Sequence, residues 1–167
     1  AQYNLGVLHA KGEGLPQNPK EAAKWYLLAA EQGHVNAQFN LGVLHDKGEG
    51  IPQNTEEAAK WYLKAAEQGH AKAQYNLGAM YFKGRGVPQN YKEAVGWYRK
   101  AAEQGNAKAQ FNLGLMYGNG LGVPQDSREA VHWYLKASKQ NLGKAQISPG
   151  EIIYVSRGVP QAFEGSV

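Results

Sequence analysis

Apolar positions in this chain recur at i, i+4, i+7 and i+8, the spacing of one face of an α-helix, as at Ala37, Leu41, Leu44 and His45. That spacing predicts a first helix, A, with its core over 37–47. The segment KGEGIPQ follows, with glycines suited to positive φ and a proline that stops helix A from continuing. A second stripe, Ala58, Trp61, Tyr62, Ala65 and Ala66, predicts helix B, with Glu57, Lys60, Lys64 and Glu67 largely on its other side. Helix B opens with a short polar residue and a glutamate three positions on: Asn18 with Glu21, Asn54 with Glu57, Asn90 with Glu93, Asp126 with Glu129. This is the pattern of a reciprocal capping box. Gly33, Gly69 and Gly105 then suit left-handed caps that close helix B, with Asn141 in that place in the last copy.

The same message is written four times. AQYNLG, AQFNLG, AQYNLG and AQFNLG begin at Ala1, Ala37, Ala73 and Ala109, each followed at fixed offsets by G-x-G-[LIV]-P-Q and then WY. The repeats are 1–36, 37–72, 73–108 and 109–144. A stretch this short cannot bury its own apolar face, so the copies must stack, each using its neighbours as core. The expected fold is all-α, an α/α solenoid of four helix-turn-helix repeats with eight helices. Gly6, Gly42, Gly78 and Gly114 sit inside helix A, where glycine costs about 1 kcal/mol relative to alanine. Their recurrence predicts a partner helix lying against the backbone there.

Residues 145–167 keep the frame at Ala145, Gln146, Gly150 and Gly158 to Gln161, but Pro149 replaces the core leucine. Helix A cannot run through it. This degenerate fifth half-repeat is expected to cap the open end or to dock on a second copy through Ile152, Ile153, Tyr154 and Val155.

Composition changes the picture mainly by exclusion. With no cysteine, the chain has neither a disulfide framework nor a thiolate metal site. No apolar run approaches the roughly 20 residues that cross a bilayer. The chain opens in mid-pattern at Ala1 without a methionine, which leaves room for an upstream segment and leaves bacterial cytoplasm and periplasm both open as the compartment of a soluble protein. The net charge is +4, and the excess lies in the third and fourth repeats. That end favours an acidic partner if the charge is used at all; a solvated outer face is the plainer reading. Basic and acidic residues interleave rather than form a stripe, so nucleic acid is not an expected partner.

The pattern A-x-x-x-L-G, then G-x-G-V-P-Q, then A-x-x-W-Y-x-K-A and a closing glycine resembles the Sel-one-like repeat family, relatives of the tetratricopeptide repeat. The resemblance implies a right-handed superhelix whose A helices line a concave face, working as a non-catalytic scaffold or adaptor for a protein or peptide. One branch of that family carries paired cysteines and has been linked to penicillin binding. Its implied activity, an enzyme acting on a cell-wall or β-lactam-like small molecule, is the alternative reading, weakened here by the missing cysteines.

With Ala37, Leu41 and Leu44 facing the core, the opposite side of helix A presents Tyr3, Val7 and Lys11; Phe39, Val43 and Lys47; Lys72, Tyr75, Ala79, Phe82 and Lys83; and Lys108, Phe111, Leu115 and Asn119, with Gly118 beside them. Aromatics flanked by lysines suit a peptide with apolar anchors and carboxylates. Packing under the next repeat is the competing role for these rings. Asn4, Asn40, Asn76 and Asn112 are expected to brace loops more than to bind a peptide backbone.

Five histidines invite a catalytic or metal reading that their spacing does not support. His9 and His45 stand where Tyr81 and Tyr117 stand, in an aromatic packing slot; His34 and His70 align with Asn106 beside the interhelix turn; His132 falls on an outer face. There is no HExxH, G-x-S-x-G, phosphate loop or dinucleotide fingerprint. No cofactor, metal or catalytic residue is expected.

Overall fold

The computed structural model describes residues 1–140, and the expectations placed on 141–167 lie outside them. Among the described residues there are eight α-helices and no strand. Helices A are α1 (Gln2–Lys11), α3 (Val35–Lys47), α5 (Ala71–Lys83) and α7 (Ala107–Asn119); helices B are α2 (Pro19–Glu31), α4 (Thr55–Glu67), α6 (Tyr91–Glu103) and α8 (Ser127–Ser138). The chain divides into two compact bodies, Ala1–Gln89 with α1 to α5 and Asn90–Val167 with α6 to α8.

In the first body α2 packs on α3 and α4 on α5, so each helix B covers the helix A of the following repeat. The core is built at these junctions. Ala22, Ala23, Tyr26, Ala29 and Ala30 of the first helix B join Ala37, Leu41 and Leu44 of the second helix A and Trp61 of the second helix B in one buried cluster. The alanines allow close approach, and burying a leucine such as Leu41 contributes roughly 2 kcal/mol. In the second body α6 packs on α7 in the same way, and α7 packs on α8 of its own repeat.

The helix-internal glycines make room for a tyrosine of the same repeat. A Cβ on Gly42 would lie 2.7 Å from Cδ1 and 2.8 Å from Cε1 of Tyr62, whose ring is buried. At the loop, Gly50 has φ 75°, and a side chain there would run into the Pro19–Lys20 backbone at the start of the preceding helix B.

Three polar devices complete each repeat. The glutamine of P-Q folds back on helix A: the side-chain amides of Gln17, Gln53 and Gln125 donate to the carbonyls of Ala10, Asp46 and Gly118 at 3.0, 2.7 and 2.7 Å. The buried glutamines Gln38, Gln74 and Gln110 donate to the carbonyls of Ala30, Ala66 and Ala102, tying each helix A to the end of the helix B before it. His34, His70 and Asn106 are the N-caps of helices A, accepting from the amides of Ala37, Ala73 and Ala109 at 3.3, 3.1 and 2.9 Å. Helix A therefore begins two residues earlier than its apolar spacing indicates.

The caps of helix B are half of what the sequence leads one to expect. The side chains of Asn18, Asn54 and Asn90 accept from the amides of Glu21, Glu57 and Glu93, and Asp126 accepts from Arg128 and Glu129. The returning bond from the glutamate is not made. The backbone amides of Asn18, Asn54 and Asp126 already donate to the carbonyls of His9, His45 and Tyr117 at the end of helix A. Glu21 and Glu57 turn instead to Lys24 and Lys60, which hold both carboxyls below their usual range.

Candidate functional site

In the first body α1, α3 and α5 carry Tyr3, Val7, Lys11, Phe39, Val43, Lys47, Lys72, Tyr75, Ala79, Phe82 and Lys83, and of these Tyr3 and Val7 pack against the buried cluster of the first junction instead of facing away from it. In the second body α7 carries Lys108, Phe111, Leu115 and Asn119, and Phe111 and Leu115 pack against buried Ala130 and Tyr134. None of these fifteen is fully buried: the lysines and Asn119 are exposed, and the apolar and aromatic residues are half-buried. The leucines of the same helices are more deeply buried, with Leu41, Leu77 and Leu113 at most 2% exposed. Gly118 departs from its expected place. It is buried, and its carbonyl receives the Gln125 amide.

The aromatic positions are both packed and presented. Tyr3 stacks on His34 with ring centroids 4.3 Å apart, and Phe39 on His70 at 4.5 Å. Each also leans on the tyrosine of its own repeat, Tyr3 on Tyr26 and Phe39 on Tyr62, both at 5.9 Å. In the second body Phe111 lies 5.5 Å from Tyr134. The rings are thus fixed in orientation while one edge stays in solvent. A histidine that caps a helix with Nδ1 and stacks an aromatic with its ring has both functions occupied. Burial holds the His70 imidazole below its ordinary pKa, and Lys72 adds to that.

Charges on this side are partly spoken for. Lys11 pairs with Glu13 and Lys47 with Glu49, both at 3.4 Å, and Arg85 pairs with Asp46 across two repeats of the first body. These pairs are exposed enough to contribute little stability. The Asn119 side chain donates to its own helix, at the Leu115 carbonyl, 2.8 Å away. Asn40 and Asn76 are engaged with the hydroxyls of Tyr26 and Tyr62, so they brace the junction between repeats.

No group of three or more His, Asp or Glu side chains that could hold a metal comes together among the described residues. Among them, too, no helix is long and apolar enough to cross a membrane. His45 fills the slot of Tyr81, half-buried, and burial lowers its pKa.

What sequence reasoning missed was the use of His34, His70 and Asn106 as caps and of the buried glutamines as ties. The signal was available, since A-Q opens every copy and His34, His70 and Asn106 share one offset.

This arrangement of paired helices recurs in known proteins. The family model described as the Sel1 repeat matches residues 1–34, 35–70, 71–106 and 107–142, so its later three blocks each start at the first residue of a helix A. A Sel1 repeat protein from Oxalobacter formigenes is similar in structure with a TM-score of 0.84 and 42% identity, over 93% of this chain and 70% of that one. A protective antigen of uropathogenic Escherichia coli strains, described as displaying an SLR fold, has a TM-score of 0.82 and 42% identity, over 84% of this chain; the chain spans 30% of its length. No curated protein matches the chain. Four matched blocks, the helix pairs they cover and two solved relatives of like fold agree: the chain is an all-α solenoid-class protein and belongs to the Sel1 repeat family.

Proposed function

We propose that the chain is a non-catalytic binding module that takes a peptide or protein segment, apolar at its anchors and acidic between them, along the half-buried rings and exposed lysines of its A helices. Sel1 repeat proteins are typically interaction scaffolds, which supports the general role. One observation supports the finer reading: in the first body, half-buried rings held in fixed stacks stand beside exposed lysines along α1, α3 and α5. Rigid aromatics offer contact area at small entropic cost, and such side chains dominate binding at interfaces. The cell-wall or β-lactam alternative is not favoured, since it rests on a cysteine-bearing branch and the chain has no cysteine.

The test is selection of peptides from a displayed random library against the chain. The expected winners combine aromatic or aliphatic anchors with Asp or Glu. Alanine at Tyr75 together with Phe82 should weaken their binding at least ten-fold, about 1.4 kcal/mol, while leaving the melting temperature near that of the parent. Selected peptides that bind the double variant unchanged would place the site elsewhere, and unfolding of the variant would mark these two residues as core.

A further inference from the structure

One position on helix B decides whether the space between it and the end of the next helix A is filled or open. In the second body Arg99 of α6 reaches Tyr117 of α7. Its Nη2 donates to the phenol oxygen, and its guanidinium carbon lies 5.8 Å from the ring centroid. Arginine suits this slot because it is a planar cation that stacks on an aromatic face and donates from its edge.

In the first body the same register holds Leu63 on α4 and Tyr81 on α5. Leucine cannot donate to the phenol oxygen. A hollow of about 380 Å³ lies there, lined by Glu56, Lys60, Leu63, Tyr81, Val87 and Pro88. That is the low end of the roughly 300 to 1,000 Å³ of small-molecule pockets, space for one inserted side chain. Leu63, Val87 and Pro88 suit the methylenes of a long side chain. The polar groups suit a cation at its tip. Lys60 gives its ammonium to Glu57, which leaves the exposed Glu56 carboxylate outside that pair. Lys64 lies over the Trp61 ring, 4.2 Å from its centroid. The positions of Glu56, Leu63 and Tyr81 read Lys20, Leu27 and His45 one repeat earlier and Lys92, Arg99 and Tyr117 one repeat later. Carboxylate, leucine and tyrosine therefore coincide at this junction alone.

We propose that this hollow receives an arginine side chain of a protein partner, with its guanidinium over the Tyr81 ring, donating to the phenol oxygen and to the Glu56 carboxylate. The partner supplies from outside what Arg99 supplies to Tyr117 from within the chain. Charge complementarity selects the cation, and the planar fork of the guanidinium serves carboxylate and ring together, which an ammonium cannot. The site is built by α4, the end of α5 and the loop that follows, and it takes a basic group. It is thus separate in residues and in chemistry from the rings and lysines of the A helices, for which an acidic segment is proposed.

Titration of the whole chain with Nα-acetyl-arginine amide tests this, read by NMR at the Tyr81 ring and the Leu63 and Val87 methyls. Saturating shifts at these groups are expected in the millimolar range. The neutral isostere, Nα-acetyl-citrulline amide, should bind about ten-fold more weakly, and Glu56→Gln should weaken the arginine probe by about the same factor. Leu63→Arg should fill the hollow from within, as Arg99 does in the second body, and abolish the shifts at Tyr81 and Val87. Should Leu63→Arg fail to fold, the citrulline and Glu56→Gln comparisons still decide. The absence of saturating shifts at these groups would overturn the proposal, as would equal binding of the citrulline or Nα-acetyl-lysine amides. Free arginine that binds more tightly than the blocked residue would mark a small-molecule site and overturn the protein partner.

Discussion

Replacing Gly42 by alanine pits two known effects against each other, and the structure decides which wins. Inside α3 an alanine is favoured over glycine by about 1 kcal/mol. The added methyl, however, would sit 2.7 and 2.8 Å from two ring carbons of Tyr62, a side chain only 2% exposed. Those carbons are in the middle of a packed ring, not at the end of a flexible chain, so the helices must separate or the ring must leave its rotamer. Overpacking of this kind costs about 1 to 3 kcal/mol. The balance runs from neutral to a loss of about 2 kcal/mol. Gly96 is the control: it lies within α6, is exposed, and a Cβ there would meet nothing within 4 Å. Gly96→Ala should gain the propensity in full and raise the melting temperature by about 2 to 4 °C for a chain of this length. Thermal melts followed by far-ultraviolet circular dichroism compare the two. Equal stabilisation by both substitutions would show that α3 and Tyr62 are not in contact, and the account of the recurring glycines would fall.

Leu77→Ala removes a side chain 1% exposed in the first body and should cost about 2 to 5 kcal/mol, read as a fall in the urea midpoint; a loss under 1 kcal/mol would place it outside the core. His70 caps α5 through an unprotonated Nδ1 and has a lowered pKa, so the unfolded chain binds the extra proton more readily: stability should fall as pH drops below about 6.5, and His70→Asn, the residue found at 106, should keep the cap and flatten that slope. An unchanged acid slope would contradict the capping role. Burial pushes the Tyr62 hydroxyl up to about 12, so the folded chain keeps its proton while the unfolded one loses it; stability should decline by about 2 to 3 kcal/mol between pH 10 and 12, and Tyr62→Phe should remove that part of the decline in urea titrations.

The helix pairs were legible because their signals are local: an apolar spacing, a polar cap and a loop proline recur four times within one chain. Close approach at Gly42 was legible too, from glycine kept where glycine is costly, although the identity of the ring against it was not. The capping box misled because sequence spacing does not reveal that the Asn54 amide is already taken by the His45 carbonyl, which frees Glu57 for Lys60. His70 was hidden by chemistry rather than distance: a histidine rarely caps a helix, and only its alignment with Asn106 pointed there. For the proposed binding residues of the A helices, spacing named the positions but did not show that Tyr3, Val7, Phe111 and Leu115 pack against buried clusters. Tyr3 and Phe39 read equally as core or surface, and the stacks with His34 and His70 make them part of each.

The proposal that matters most is that a ligand lies along the half-buried rings and exposed lysines of the A helices. Amide hydrogen exchange of the chain, alone and saturated with a library-selected peptide, measures this directly. Slowed exchange should gather in α3 and α5 and in the KGEG and KGRG loops that follow them, with α4 unchanged. Protection confined to the outer surface of α4, or none on any helix A, would contradict it.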